Sequence, residues 1–157
     1  MSTLSVELLN ELRTRGLTLG TAESCTGGNI AHRITEVAGC SDVFMGGVVS
    51  YDNSVKHNVL GVKNETLERF GAVSRETVCE MLSGTIRVVG TDCAVATSGI
   101  AGPGGGSEEK PVGTVWIGAQ ISGAEPDVRL FHFNGTRKEI IEQATEQALI
   151  MMLELLK

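Results

Sequence analysis

Aromatic residues are scarce in this chain: one tryptophan, one tyrosine and four phenylalanines make up 4% of its 157 residues. Proteins that hold single-stranded nucleic acid stack bases on aromatic rings, so that class is disfavoured. No block of basic residues occurs, and the net charge is −6. The electrostatic footprint of a nucleic-acid partner is therefore missing. No apolar run reaches the length of a membrane span. Met1-Ser2-Thr3-Leu4-Ser5-Val6-Glu7 lacks the basic and apolar regions of a signal peptide. A cytoplasmic protein without a membrane partner is expected. Cys25, Cys40, Cys79 and Cys93 form no Cys-x-x-Cys pair, which leaves zinc and redox motifs without support. In a reducing compartment these are expected to be free thiols.

What is present is ordinary for a globular chain: 41% hydrophobic and 20% charged residues. The length suits one domain, residues 1–157, with one core. Leu4, Leu8, Leu9 and Leu12 share a helical face that Gly16 stops. A strand is predicted over 17–22, ending by Glu23, with a helix opening just past Ser24 and closing near Gly39. Val43 to Tyr51 reads as a strand, and Asn53 to Leu60 as a short helix closed by Gly61. Ser74 caps a further helix through Val78, Met81, Leu82 and Ile86. Cys93 to Thr97 has the apolar run of a buried strand. A glycine-rich loop follows over 98–107. Strands over 112–121 and 128–133 then flank a Gly-Ala-Glu-Pro-Asp turn. Thr136 opens a long last helix. Alternating helices and strands predict an α/β layered fold, and the late hairpin predicts a mixed sheet.

Three segments can carry chemistry. In Thr21-Ala22-Glu23-Ser24-Cys25-Thr26-Gly27-Gly28, a hydroxyl sits at a strand-to-helix junction beside glycine N–H groups. Helix N-termini attract developing negative charge. Ser24 there can be a nucleophile, a phosphate ligand or an N-cap, and local reasoning alone puts the cap first. His32, His57 and His132 give no recognisable triad order. A partly desolvated lysine can replace histidine as base, and Lys56 is the candidate. Cys25 is a rival nucleophile, its thiol pKa expected to be depressed at the helix mouth. Glu23 can act as a base or accept hydrogen bonds from nearby backbone. In Ser50-Tyr51-Asp52-Asn53-Ser54-Val55-Lys56, the Tyr51 phenol can relay a proton or bind a carbonyl, or pack at a sheet edge, and Asn53 can cap the short helix. The third segment, Ser98-Gly99-Ile100-Ala101-Gly102-Pro103-Gly104-Gly105-Gly106-Ser107, fits no nucleotide fingerprint but can form an anion-binding nest. Arg137 and Lys138 oppose the dipole at the start of the last helix. A bound anion or a side chain bending away accounts for that placement.

Taken in order, Thr21–Gly28, Tyr51–Lys56, Ser98–Pro103 and Lys110-Pro111-Val112-Gly113-Thr114-Val115 resemble the CinA C-terminal-domain family, which includes stand-alone nicotinamide-nucleotide amidases. The match is collinear over nearly the whole chain. The resemblance implies a three-layer α/β domain, a mixed sheet flanked by helices, in homodimers or higher homo-oligomers. It implies hydrolysis of nicotinamide mononucleotide, the small-molecule partner, to nicotinate mononucleotide and ammonia, in pyridine-nucleotide recycling. No metal or organic cofactor is implied. By motif, the family's serine nucleophile and its lysine and tyrosine partners fall on Ser24, Lys56 and Tyr51. The resemblance places oxyanion and substrate contacts at Thr26, Gly27, Gly28, Ser98, Gly99 and Gly102, with Arg137 near the substrate phosphate. Met45-Gly46-Gly47, Asn134-Gly135-Thr136-Arg137 and Ile141-Glu142 depart from the family pattern. Each is expected to remove charge near the phosphate, and Glu142 to add repulsion. A nucleotide-binding paralogue with weak or no turnover, or an amidase for another small amide, are the alternative readings.

Overall fold

Five short strands assemble into one mixed sheet in the order β2-β1-β3-β4-β5. The computed structural model describes residues 3–157. Met1 and Ser2, at the head of the segment expected to lack a leader, lie outside them. The strands are β1 Leu19–Glu23, β2 Phe44–Val49, β3 Cys93–Gly99, β4 Thr114–Ile121 and β5 Asp127–His132. The helices are α1 Thr3–Arg15, α2 Asn29–Thr35, α3 Asn53–Asn58, α4 Asn64–Phe70, α5 Arg75–Thr85 and α6 Arg137–Leu156. β1 pairs in parallel with β2 and with β3. β3–β4 and β4–β5 are antiparallel.

Alternation along the strands builds two cores. Cys93 and Val95 of β3, with Val115, Ile117 and Ala119 of β4, face a core shared with α1, α2 and α6. Ala94, Ala96 and Trp116 face the opposite core with Val78, Met81 and Leu82 of α5. The residues of that second face are small because α5 lies close. A Cβ on Gly118 would stand 2.7 Å from Leu82 Cδ1 and 2.8 Å from Val78 Cγ1, nearer than any packed side chain tolerates. The arrangement is an α/β domain with a five-stranded mixed sheet flanked by helices, as expected. No helix among the described residues is long and apolar enough to cross a membrane.

Several elements differ from the sequence reading. β1 starts at Leu19 and not at Leu17, because the Leu17 N–H still closes α1 on the Leu12 carbonyl at 2.9 Å. β2 is shorter than 43–51, since the chain must turn inward at Ser50 to enter α3. Helix α4 is not in the sequence reading at all. It buries only Thr66, so it carries no apolar stripe to read.

Candidate active site

The three parallel strands end at one edge, where Glu23 pairs with both Val49 and Thr97. From β1 the chain passes first to β2 on one side and later to β3 on the other. Side chains just beyond the carboxyl ends of strands at such a switch point face a common crevice. Ser24, the Ser50–Lys56 segment and the Ser98–Gly102 segment meet there.

Ser24 is buried, and its N–H donates to the Thr97 carbonyl at 3.0 Å, one step past the end of β1. A turn then closes from the Gly27 N–H to the Ser24 carbonyl at 3.0 Å. Gly27 and Gly28 take φ of 57° and 103°, the left-handed region that glycine tolerates and other residues avoid. Helix α2 therefore opens at Asn29, not just past Ser24, and Ser24 is not its N-cap. Capping comes from Glu23, 1% exposed, whose carboxylate accepts from Ile30 N–H at 2.8 Å and Ala31 N–H at 3.0 Å. It also accepts from the Thr26 hydroxyl at 2.6 Å, which in turn lies 2.8 Å from Thr97 Oγ1. Of the two roles open to Glu23, the structure shows the acceptor of backbone hydrogen bonds.

Lys56 is the largest buried polar side chain, 1% exposed. Its Nζ lies 3.0 Å from Ser24 Oγ and donates to the carbonyls of Ser50 at 2.8 Å and Tyr51 at 3.2 Å. Ser50 is itself fixed to β1, its N–H donating to the Glu23 carbonyl at 2.8 Å. Burial pushes the Lys56 ammonium below the ordinary lysine range, against a smaller opposing pull from Asp52. Asp52, not Asn53, caps α3: its carboxylate accepts from the Ser54 N–H at 3.0 Å and the Ser54 hydroxyl at 2.6 Å. Asp52 holds the extended position before the helix, from which its carboxylate reaches both donors.

Tyr51 divides its two ends. Its carbonyl holds Lys56, while its ring is 58% exposed. The phenol accepts a hydrogen bond from Arg137 Nη2 at 2.9 Å, and Arg137 Nη1 donates to the Gly102 carbonyl at 2.8 Å. The guanidinium thus bends away from the positive end of α6, whose first turn is closed by a Thr136–Glu139 capping box. Among the described residues no hydrogen bond joins the phenol to Ser24 or Lys56.

The Cys25 thiol is not depressed. Burial pushes it up to about 12, and α2 starts only four residues later, with Glu23 already facing its N-terminus. A thiol in that state is a poor nucleophile. His32 is exposed, and His57 Nδ1 lies 2.7 Å from the Val62 carbonyl, away from Ser24.

Ser24, Cys25, Tyr51, Lys56, Ser98, Gly99 and Arg137 line one pocket of about 220 Å³. Asn53, Ala72, Val73 and Ala101 complete its wall. Ala72 and Val73 escaped the sequence reading because small apolar residues after an unread helix carry no chemical signature. Thr26, Gly27, Gly28 and Gly102 do not line the pocket. The Thr26 hydroxyl and the Gly27 N–H serve the turn, and Gly102 acts through its carbonyl on Arg137. No backbone carbonyl takes the Cys25 or Thr26 N–H among the described residues. Glu142 does not face the pocket either. It pairs with Arg33 and accepts from Asn29 Nδ2 at 3.3 Å, so the expected repulsion is replaced by an ion pair between α2 and α6.

Fold and edge geometry define an α/β domain with a pocket at the carboxyl ends of its parallel strands. The chain belongs to the CinA C-terminal domain family, whose model matches residues 1–156. It is 48% identical over 146 residues to the nicotinamide-nucleotide amidohydrolase PncC of Escherichia coli K12, covering 93% of this chain and 88% of that protein. A CinA-like protein of Kosmotoga olearia is 49% identical over 142 residues, 90% of this chain but 34% of that one. The chain thus spans about a third of the longer CinA-like relatives it matches. The crystal structure of the competence/damage inducible protein CihA of Agrobacterium tumefaciens superposes with a TM-score of 0.96 at 41% identity, covering 98% of this chain and 94% of that one.

Proposed function

We propose that this chain hydrolyses the carboxamide of nicotinamide mononucleotide to nicotinate mononucleotide and ammonia, with Ser24 as nucleophile and Lys56 as base. One observation carries the chemistry. The Lys56 amine meets two carbonyls and one hydroxyl, and that hydroxyl belongs to Ser24. A neutral amine has two N–H donors and one lone pair. With both donors on the Ser50 and Tyr51 carbonyls, the lone pair is left for the Ser24 proton. Burial favours that neutral state.

The steps follow from this geometry. Lys56 takes the Ser24 proton as Oγ attacks the carboxamide carbon. Negative charge develops on the amide oxygen, and the Cys25 and Thr26 N–H groups, which no backbone carbonyl takes among the described residues, are the donors nearest to Ser24 in sequence. Such a donor contributes about 3 kcal/mol of transition-state stabilisation. Lys56 then gives its proton to the leaving nitrogen, and ammonia departs. Water, activated by the same amine, hydrolyses the acyl-enzyme and restores Ser24. Similarity to PncC of Escherichia coli over most of both chains supports the choice of substrate.

Ammonia release from nicotinamide mononucleotide, nicotinamide riboside and free nicotinamide tests the reading. The mononucleotide is expected to react fastest. Equal rates for all three would point to an amidase for another small amide. No release at high enzyme concentration would leave a nucleotide-binding paralogue.

A further inference from the structure

Asn53 is a polar residue of the pocket wall to which the proposed mechanism gives no role. It lines the pocket together with Ser24 and Lys56, and it is exposed. The cap expected of it comes from Asp52, whose carboxylate takes the Ser54 N–H and hydroxyl. The Asn53 amide is thereby left without a hydrogen-bond partner among the described residues. An exposed asparagine on a helix is ordinarily a solvated one. Its spacing from Lys56 sets this one apart. Residues three apart lie on the same face of a helix, with Cβ atoms about 5–6 Å from each other. Asn53 and Lys56 are so spaced in α3. The face that carries the Lys56 amine to Ser24 Oγ therefore also presents Asn53.

We infer that Asn53 accepts a hydrogen bond from the leaving nitrogen of the substrate through Oδ1, and so makes the site selective for a primary carboxamide over an ester of the same acid. The inference rests on the amidase reading, which fixes the two sides of the reacting group. The amide oxygen turns to the Cys25 and Thr26 N–H groups on the β1–α2 connection, and the nitrogen turns to Lys56 on α3. Asn53 stands on the nitrogen side. Its carbonyl oxygen is an acceptor, and a primary amide offers two N–H donors.

The contact has a consequence for the collapse of the intermediate. Once Ser24 has added, the nitrogen is tetrahedral, with two N–H bonds and one lone pair. An acceptor on one N–H fixes the direction of that lone pair. The lone pair must face the protonated Lys56 to take its proton. As the C–N bond breaks, its electron pair stays on nitrogen, and ammonia leaves. An ester presents an oxygen there, without a hydrogen to donate, and a site built to accept an N–H discriminates against it.

Asn53→Ala removes the acceptor, and the exposure of the residue keeps the fold out of the comparison, as an unchanged melting transition should show. The substrates are nicotinamide mononucleotide and the carboxyl methyl ester of nicotinate mononucleotide. Both yield nicotinate mononucleotide, so one chromatographic assay reads both. The expected result is a loss of about tenfold in kcat/KM for the amide and a markedly smaller loss for the ester. An equal loss for both would assign Asn53 to the oxyanion, the ring or the ribose, and would overturn the inference, as would an unchanged rate for the amide. Binding gives a second readout that does not depend on turnover. Calorimetry with the same two compounds compares Ser24→Ala with Ser24→Ala/Asn53→Ala. Weaker binding of the amide alone is expected. Unchanged binding of the amide, or a loss shared by the ester, would overturn the inference. If no amide is hydrolysed, the amidase reading fails by itself, and the calorimetry still decides whether Asn53 reads the amide nitrogen.

Discussion

Lys56 Nζ lies 3.0 Å from Ser24 Oγ across a sequence separation of 32 residues. Each partner is fixed from β1. The Ser24 N–H is bound to Thr97, and the lysine-bearing segment is tied back by the Ser50 N–H on the Glu23 carbonyl. Backbone hydrogen bonds fix the two segments, and the Ser50 and Tyr51 carbonyls fix the Lys56 amine, which is the preorganisation that nucleophilic catalysis requires.

Ser24→Ala removes the nucleophile and leaves that backbone frame intact. Ammonia release from nicotinamide mononucleotide is expected to fall by about 10³-fold or more. The far-UV circular dichroism and the melting transition should stay close to those of the parent. Substantial turnover in the variant would take Ser24 out of the nucleophile role.

Lys56 gives the site a signature in stability as well as in rate. Its folded pKa is depressed by burial, while the unfolded chain carries a lysine of about 10.4. Between the two values the unfolded state binds more protons than the folded state. Stability therefore rises with pH through that window, as the cost of burying the ammonium is relieved. The kcat/KM profile should rise with pH over the lower part of the same range, as the base loses its proton. In Lys56→Met both dependences are expected to disappear, the first in chemical denaturation midpoints and the second along with activity. An unchanged stability slope in the variant would assign it to another group.

Much of this was legible in the sequence, and the parts that were not share a cause. The α1 stripe of Leu8, Leu9 and Leu12 and the Thr136 cap of α6 rest on local periodicity and local hydrogen bonds, and both stand where the pattern put them. Ser24 and Lys56 could be named from their motifs. Their pairing was expected too, and its 3.0 Å distance rests on the parallel register of β1 and β2. The start of α2 was missed because its cap, Glu23, lies on the preceding strand and reaches over two glycines. The direction of the Tyr51 ring was missed because it depends on Arg137, 86 residues away.

Cys25 tests whether local electrostatics are understood. With its thiol pushed up to about 12, roughly one molecule in ten thousand carries the thiolate at pH 8. Cys40 and Cys79 are only partly buried. Iodoacetamide applied to the folded protein at pH 8 should label Cys40 and Cys79 well before Cys25, as read by peptide mass spectrometry. Rapid labelling of Cys25 would show an activated thiol beside Ser24 and revive it as the nucleophile.

Glu23→Gln probes the turn beneath the nucleophile. The carboxylate accepts from both the Ile30 and the Ala31 N–H, one on each oxygen, and from the Thr26 hydroxyl. An amide keeps one acceptor oxygen and places an NH₂ against the other donor. One buried N–H is then left without a partner, at a cost of about 1–3 kcal/mol. The denaturation midpoint should fall accordingly, with the dependence on denaturant unchanged. Turnover should fall as well, because α2 and the Ser24 turn share this carboxylate, and the loss should appear in kcat more than in KM. A variant with full stability would mean that the turn is held by its glycines and by Thr97 alone.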